Sequence, residues 1–318
     1  MTEFKFGVGL WSQQTAWPAM LDTARRIDRR GYDHLWTWDH HLAPFGDPYQ
    51  PILEGWTVAS AFAVATEHAT VGLLVGANPW HNPGLYAKMV TTLDHVSGGR
   101  AIAGIGGAWW EWEAAAYGID FGASVGERLD RLDQATGAIK RLLAGDEVTI
   151  DSGAYRMDRL RLYPLPLQPK LPILVGGGGE KKTLRTVARY ADMWNAFGTL
   201  EELTHKTEVL AQHCADLRRD PAEIKRSVEV KIIIRDTEDE ARKTWAALLE
   251  ANHMAFEVGV DTWLGTPQQI ADRIRAFRAV GFDAIMTWMP APYDAETIER
   301  LIGEVKPAGQ AQSVARPG

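Results

Sequence analysis

Eight short β-prone runs, at residues 4–10, 34–38, 70–75, 101–105, 173–175, 192–196, 227–234 and 284–288, recur along this chain, and nearly all are separated by stretches of helical periodicity. That alternation constrains the fold more than any other feature. Parallel strands need long crossover connections, and right-handed ones, so the runs read as one parallel sheet flanked by helices. Eight such units suit closure into an α/β (β/α)8 TIM barrel, with an open doubly wound sheet as the alternative.

Local signals mark the helix ends. Pro18 opens the first helix and Gly31 suits a left-handed cap behind it. Ser124 with Glu127, Thr199 with Glu202 and Thr237 with Glu240 have capping-box spacing, and Gly265-Thr266-Pro267 starts the last long helix. The rhythm breaks once, between strands four and five. Residues 145–172 hold a candidate hairpin, 147–150 against 154–157, followed by a proline-rich run, and this insertion is expected to fold over the barrel mouth. Residues 1–307 otherwise read as one domain, with 308–318 a loose tail.

Composition narrows the class. Of 318 residues, 46% are hydrophobic and 24% charged, enough to bury a full core, and the net charge of −7 offers no basic field to a polyanion. No nucleic-acid partner is expected. The single cysteine, Cys214, rules out a disulfide framework and reads as a structural thiol in a helix. No apolar run reaches about 18 residues and the first residues carry no signal pattern, so a soluble, cytoplasmic protein without membrane contact is expected.

In such a barrel the site lies at the carboxyl ends of the strands. The run from His34 to His41 ends there in an acid and two imidazoles, which brings Asp39 and His40 forward as candidates. A metal held by Asp39-His40-His41 is opposed by the alternation of successive residues across a strand, and no metal is expected. His40 can equally be a strand-end histidine satisfied by the backbone. Gly176, Gly177, Gly178 and Gly179 follow strand five and open a helix, the arrangement that offers backbone N–H groups to a phosphate; a plain loop is the competing reading. They form no P-loop, and Gly104-Ile105-Gly106-Gly107 is no dinucleotide fingerprint. The glycines near 106 would let a flat ring approach the backbone. Thirteen tryptophans are many, and several sit beside glycine, proline or histidine, as a ring-shaped ligand would require. Trp109-Trp110-Glu111-Trp112-Glu113 reads also as a helix start with acids in its first turn.

The ordered blocks Arg30-Gly31-Tyr32-Asp33-His34-Leu35-Trp36 with Asp39-His40, Thr92-Leu93-Asp94-His95-Val96-Ser97-Gly98-Gly99-Arg100, Gly104-Ile105-Gly106-Gly107-Ala108-Trp109 and Ala191-Asp192-Met193-Trp194-Asn195 resemble the luciferase-like monooxygenase superfamily. Within it, the chain is most similar to the actinobacterial branch that uses the deazaflavin coenzyme F420. The resemblance implies a flavin or deazaflavin ring at the barrel mouth, with its phosphate at Gly176–Gly179. It implies that Asp39 and His40 lie against the ring and the substrate, with His40 as general acid or base. Leu74, Val75, Gly76 and Ala77, with Gly106, Gly107 and Ala108, match positions beside the coenzyme, and a non-proline cis peptide is implied around Leu74 to Gly76. A homodimer is implied as well.

One departure bears on the substrate. In the branch acting on sugar phosphates or secondary alcohols a glutamate follows the strand-four glycines directly, whereas here Trp109 stands there and Glu111 comes two residues later. A pocket of Trp11, Trp109, Glu111 and Trp288 then suits a small apolar or aromatic molecule. The leading expectation is an F420-dependent oxidoreductase that passes a hydride between the deazaflavin and that molecule. The alternatives are an FMN-dependent monooxygenase on the same scaffold, a coenzyme-binding carrier or sensor without turnover, and a metal-dependent hydrolase on the same barrel.

Overall fold

The structure, a computed structural model, describes residues 3–255 and 257–310. In chain order its strands begin with β1 (Lys5–Leu10), β2 (His34–Thr37), β3 (Thr70–Leu73), the two-residue β4 (Gly76–Ala77) and β5 (Ala101–Gly106). The hairpin β6 (Val148–Ser152) and β7 (Tyr155–Leu160) follows, then β8 (Ile173–Gly176), β9 (Met193–Ala196), β10 (Lys225–Ile234), β11 (Thr262–Gly265) and β12 (Ala284–Met289). Around the ring the order is β12, β1, β2, β3, β5, β8, β9, β10, and β10 pairs with β12 to close it. Every pairing in that ring is parallel, and the chain is a (β/α)8 barrel.

The helices are α1 (Trp17–Arg29), α2 (Gly55–Ala65), α3 (Pro83–Val96), α4 (Glu111–Ala116), α5 (Val125–Leu143), α6 (Thr183–Tyr190), α7 (Leu200–Asp216), α8 (Glu238–Ala251), α9 (Pro267–Ala279), α10 (Ala295–Arg300) and α11 (Lys306–Gln310). Reciprocal capping boxes close the starts of α7, α8 and α9 through Thr199 with Glu202, Thr237 with Glu240 and Thr266 with Gln269. At α5 only half the box forms. Ser124 accepts the Glu127 N–H, but the Glu127 carboxylate accepts from Ala123 instead of Ser124. Asp28, near the end of α1, accepts the N–H groups of Glu67, His68 and Ala69 and so ties the turn before β3 to the helix layer.

Three apolar clusters result. One fills the space between strands and helices, a small one joins α8 to β10 and β11 through Trp245, Leu249, Ile233 and Leu264, and the third fills the barrel itself with Trp36, Ile102, Leu174, Met286, Trp11, Trp38, Leu74 and Trp288. Trp36 and Trp38, like Met286 and Trp288, are two residues apart and so share the inward face. Glycine on β1 makes room for them: a Cβ at Gly9 would lie 2.3 Å from the Trp288 ring.

Three expectations change. The third strand ends at Leu73 instead of running to residue 75, and a cis Leu74–Val75 peptide separates it from β4; the resemblance implied such a bond there. β11 is additional: it pairs only with the Lys231–Ile234 half of β10, beyond the closed ring, and a four-residue run gives little period to read. The insertion does form its hairpin, but it packs on the flank against α3 and α5 instead of covering the mouth. There the Asn78 amide donates to the Tyr155 hydroxyl at 2.8 Å. Of the expected tail, residues 308–310 close α11 and 311–318 lie outside the described residues. Among the described residues no helix is long and apolar enough to cross a membrane.

Candidate active site

A cavity of about 510 Å³ opens at the carboxyl ends of the barrel strands, within the range of small-molecule sites. The end of β2 supplies its first two polar groups. Asp39 is buried, and its Oδ2 accepts the Ala77 N–H at 2.8 Å while His81 Nε2 stands 3.5 Å away. Its other oxygen, Oδ1, is buried in the cavity wall without a partner. A buried carboxylate oxygen left free in this way is an unsatisfied acceptor that a donor group in the cavity could pair with.

His40 follows. Its Nδ1 lies 2.8 Å from Oε2 of Glu113, a fully buried residue of α4. Glu113 Oε1 accepts the backbone N–H groups of His41 at 2.6 Å and Leu42 at 3.0 Å. Burial pushes the Glu113 carboxyl up, but the His40 hydrogen bond and charge and the two backbone donors outweigh it and hold the group below its ordinary value. An ionised acceptor at Nδ1 requires the proton there, which leaves Nε2 as the nitrogen able to exchange a proton in the cavity. Trp38, Trp109 and Trp110 surround the ring edge-on at 5.7, 5.8 and 6.2 Å.

The opposite floor of the site is built by backbone. Val75 rests over the strand-end glycines of β5 and β8: a Cβ at Gly106 would stand 2.6 Å from Val75 Cγ2, and one at Gly176 2.8 Å from Val75 Cγ1. These glycines therefore admit Val75 before they admit any ligand. Ala108, in the left-handed region at φ 56°, turns the chain at the cavity edge. Gly177 and Thr183 bring the start of α6 to the cavity.

Residues 1–262 match the luciferase-like monooxygenase family. The chain belongs to that family. It is 26% identical over 317 residues to the FMNH(2)-dependent dimethylsulfone monooxygenase of Pseudomonas putida, covering 86% of this chain and 84% of that one. It is 25% identical over 240 residues to the F420-dependent hydroxymycolic acid dehydrogenase of Mycobacterium tuberculosis, covering 74% and 64%. Its fold superposes on an F420-dependent secondary alcohol dehydrogenase in complex with an F420-acetone adduct with a TM-score of 0.82, at 18% identity and coverage of 98% and 100%. Relatives of both coenzyme types thus surround the sequence.

In this luciferase-like barrel most of the residues singled out from sequence converge. Asp39, His40, Leu74, Val75, Ala77, Gly106, Gly107, Ala108, Gly176, Gly177, Trp11, Trp109 and Trp288 all line the cavity. Four do not. Gly76 is covered by Tyr86, whose hydroxyl donates to the Gly104 carbonyl, and Gly178 turns its carbonyl to Lys206 Nζ at 3.0 Å. Gly179 packs on Thr183, and Glu111 points to solvent from the first turn of α4. Sequence reading missed Glu113, and also Glu229, Lys231 and Asp261, which line the far wall. Two charged residues at alternate positions in an otherwise apolar strand, Val228-Glu229-Val230-Lys231-Ile232, were the available signal. Among the described residues no group of three His, Cys, Asp or Glu side chains is arranged to hold a metal ion.

Proposed function

We propose that this chain is a coenzyme F420-dependent oxidoreductase that transfers a hydride between the deazaflavin and a small, apolar or aromatic organic substrate. The observation that carries the reading is the clamp of His40 by buried Glu113 beside a cavity whose wall leaves Asp39 Oδ1 free. The residues fit such a group. Asp39 Oδ1, an acceptor without a partner, would take a hydrogen bond from the ring, Leu74, Val75 and Ala77 would offer it an apolar surface, and Gly106, Gly107 and Ala108 would stand beside it. Gly176, Gly177 and Thr183, at the α6 start, would hold the phosphate end, since backbone N–H groups and the helix dipole there favour an anion. When bound, the deazaflavin supplies the carbon that gives or takes the hydride.

The chain's own work is proton handling and exclusion of water. A substrate hydroxyl that loses hydride from its carbon must also shed a proton, and His40 Nε2 accepts it while Nδ1–H stays on Glu113. In the reverse direction the imidazolium returns it. Trp11, Trp38 and Trp288 keep that end of the cavity dry and hold the apolar part of the substrate.

A second reading is an FMN-dependent monooxygenase, favoured by likeness to the Pseudomonas putida enzyme over 86% of this chain. The two are separated by an anaerobic substrate screen that follows F420 absorbance, run beside an oxygen-uptake assay with reduced FMN. Absorbance change without oxygen supports hydride transfer, whereas turnover only with reduced FMN and oxygen moves the function to the second reading.

A further inference from the structure

The wall across the barrel from β3 carries a carboxyl that the proposed chemistry does not use. On β10, Glu229 and Lys231 are two residues apart and both face the cavity. Lys231 is already committed, its Nζ 2.5 Å from Oδ2 of Asp261, just ahead of β11. Glu229 and Trp288 line the same wall from the neighbouring strands β10 and β12. Trp288 belongs to an aromatic stack, 5.5 Å from Trp38, which is 5.2 Å from Trp11, itself stacked at 4.7 Å on Phe45. Among the described lining residues Lys231 is the only lysine or arginine, against the carboxyls of Asp39, Glu113, Glu229 and Asp261.

This wall discriminates by charge. An anionic substrate would be desolvated beside carboxyls with no uncommitted cation to pair with. A cation would meet a carboxyl and the faces of electron-rich rings together. We propose that Glu229 sets the substrate class: the pocket takes a small organic amine, its ammonium at Glu229 and its apolar body among Trp11, Trp38 and Trp288. The inference rests on the reading of this cavity as the substrate site.

The state of the carboxyl agrees. Burial pushes Glu229 up to about 7, with Asp261 adding to the shift and Lys231 and Trp288 opposing it. Those are the groups that face it from its own strand, from the segment before β11 and from β12, and β9 offers the cavity only neutral Asn195 and Ala196. The charged form lacks a full partner, and an arriving ammonium supplies one.

The test is calorimetric titration of the full chain, slightly above neutral pH, with 3-phenylpropylamine, 3-phenylpropanol and 3-phenylpropionate. The amine is expected to bind about tenfold more tightly than the alcohol, and the carboxylate least tightly. Glu229→Gln should erase the preference for the amine and leave the alcohol unchanged, while Glu229→Asp keeps part of it. Equal binding of all three probes, binding of none, or a preference that survives Glu229→Gln overturns the proposal. If Glu229→Gln does not fold, the ranking on the native chain and on Glu229→Asp decides. Coenzyme is titrated into the same preparations. A chain that prefers the amine yet binds neither F420 nor FMN contradicts the coenzyme reading alone, and one that binds coenzyme but ignores probe charge contradicts this inference alone.

Discussion

Glu113 Oε2 lies 2.8 Å from His40 Nδ1, while the other oxygen of the same buried carboxyl takes the N–H groups of His41 and Leu42. One side chain thus orients the imidazole and fixes the turn that carries it. The proton transfer proposed for His40 needs both, because it depends on ring position and on which nitrogen holds the proton.

Glu113→Gln separates the two duties. The glutamine oxygen can still accept from His41 and Leu42, but its amide nitrogen then faces His40 Nδ1 as a donor, and the ring proton shifts to Nε2. Turnover should fall about 100-fold, with a displaced pH profile and coenzyme affinity within about threefold of the native chain. Steady-state rates across pH check this, and an unchanged profile would break the link between the two residues.

His40→Ala removes the proposed proton carrier and leaves the rest of the wall. Turnover should drop by roughly 100-fold or more, with the coenzyme dissociation constant changed no more than a few fold. Undiminished turnover would show that the proton is handled elsewhere.

Gly106→Ala meets Val75 at 2.6 Å, a contact that only a shift of the Val75 segment can relieve. A loss of about 1–3 kcal/mol in denaturant unfolding is expected, with weaker coenzyme binding. Gly178→Ala provides the contrast. Its Cβ meets only the flexible end of Lys206, at 3.2 Å, so coenzyme affinity should stay within about twofold. Equal losses at both positions would return the phosphate to Gly178.

Asp28 carries a pH signature of the fold. Burial pushes its carboxyl up, but the N–H groups of Ala69, Glu67 and His68 outweigh that and hold it below its ordinary value. A folded-state value below the unfolded one means stability that is present above the unfolded value and lost as pH falls through the folded one. Asp28→Asn should therefore be less stable than the native chain near neutral pH, with the gap closing in acid. Thermal melts across pH measure it, and a gap that does not close in acid would contradict the assignment.

Much of this was legible in the sequence because barrel strands are apolar runs punctuated by turn residues, and Asp39 and His40 interrupt such a run at its end. The carboxylate partner was not. Glu111 and Glu113 differ by about 200° around a helix, and which one faces inward depends on where α4 starts, a detail fixed by packing. The glycines near 106 read as room for a flat ring and those at 176–179 as a phosphate cradle, but at Gly106 and Gly176 the group that comes close is the Val75 side chain, which residue pattern alone does not place. Gly178 and Gly179 show the converse: four glycines in a row looked like one cradle, yet only Gly176 and Gly177 reach the cavity. Glu229 and Lys231 are missed because residues 227–234 read simply as a strand, although charges at alternate positions in a strand buried on both sides mark a lined cavity.

A deazaflavin in this cavity is what the proposed hydride transfer requires. Anaerobic titration of the purified protein with oxidised F420 and, separately, with FMN tests it directly, since both chromophores report their own binding and no substrate need be known. Micromolar or tighter affinity for F420 with much weaker FMN binding is the predicted result. Preference for FMN, or binding of neither, would contradict it.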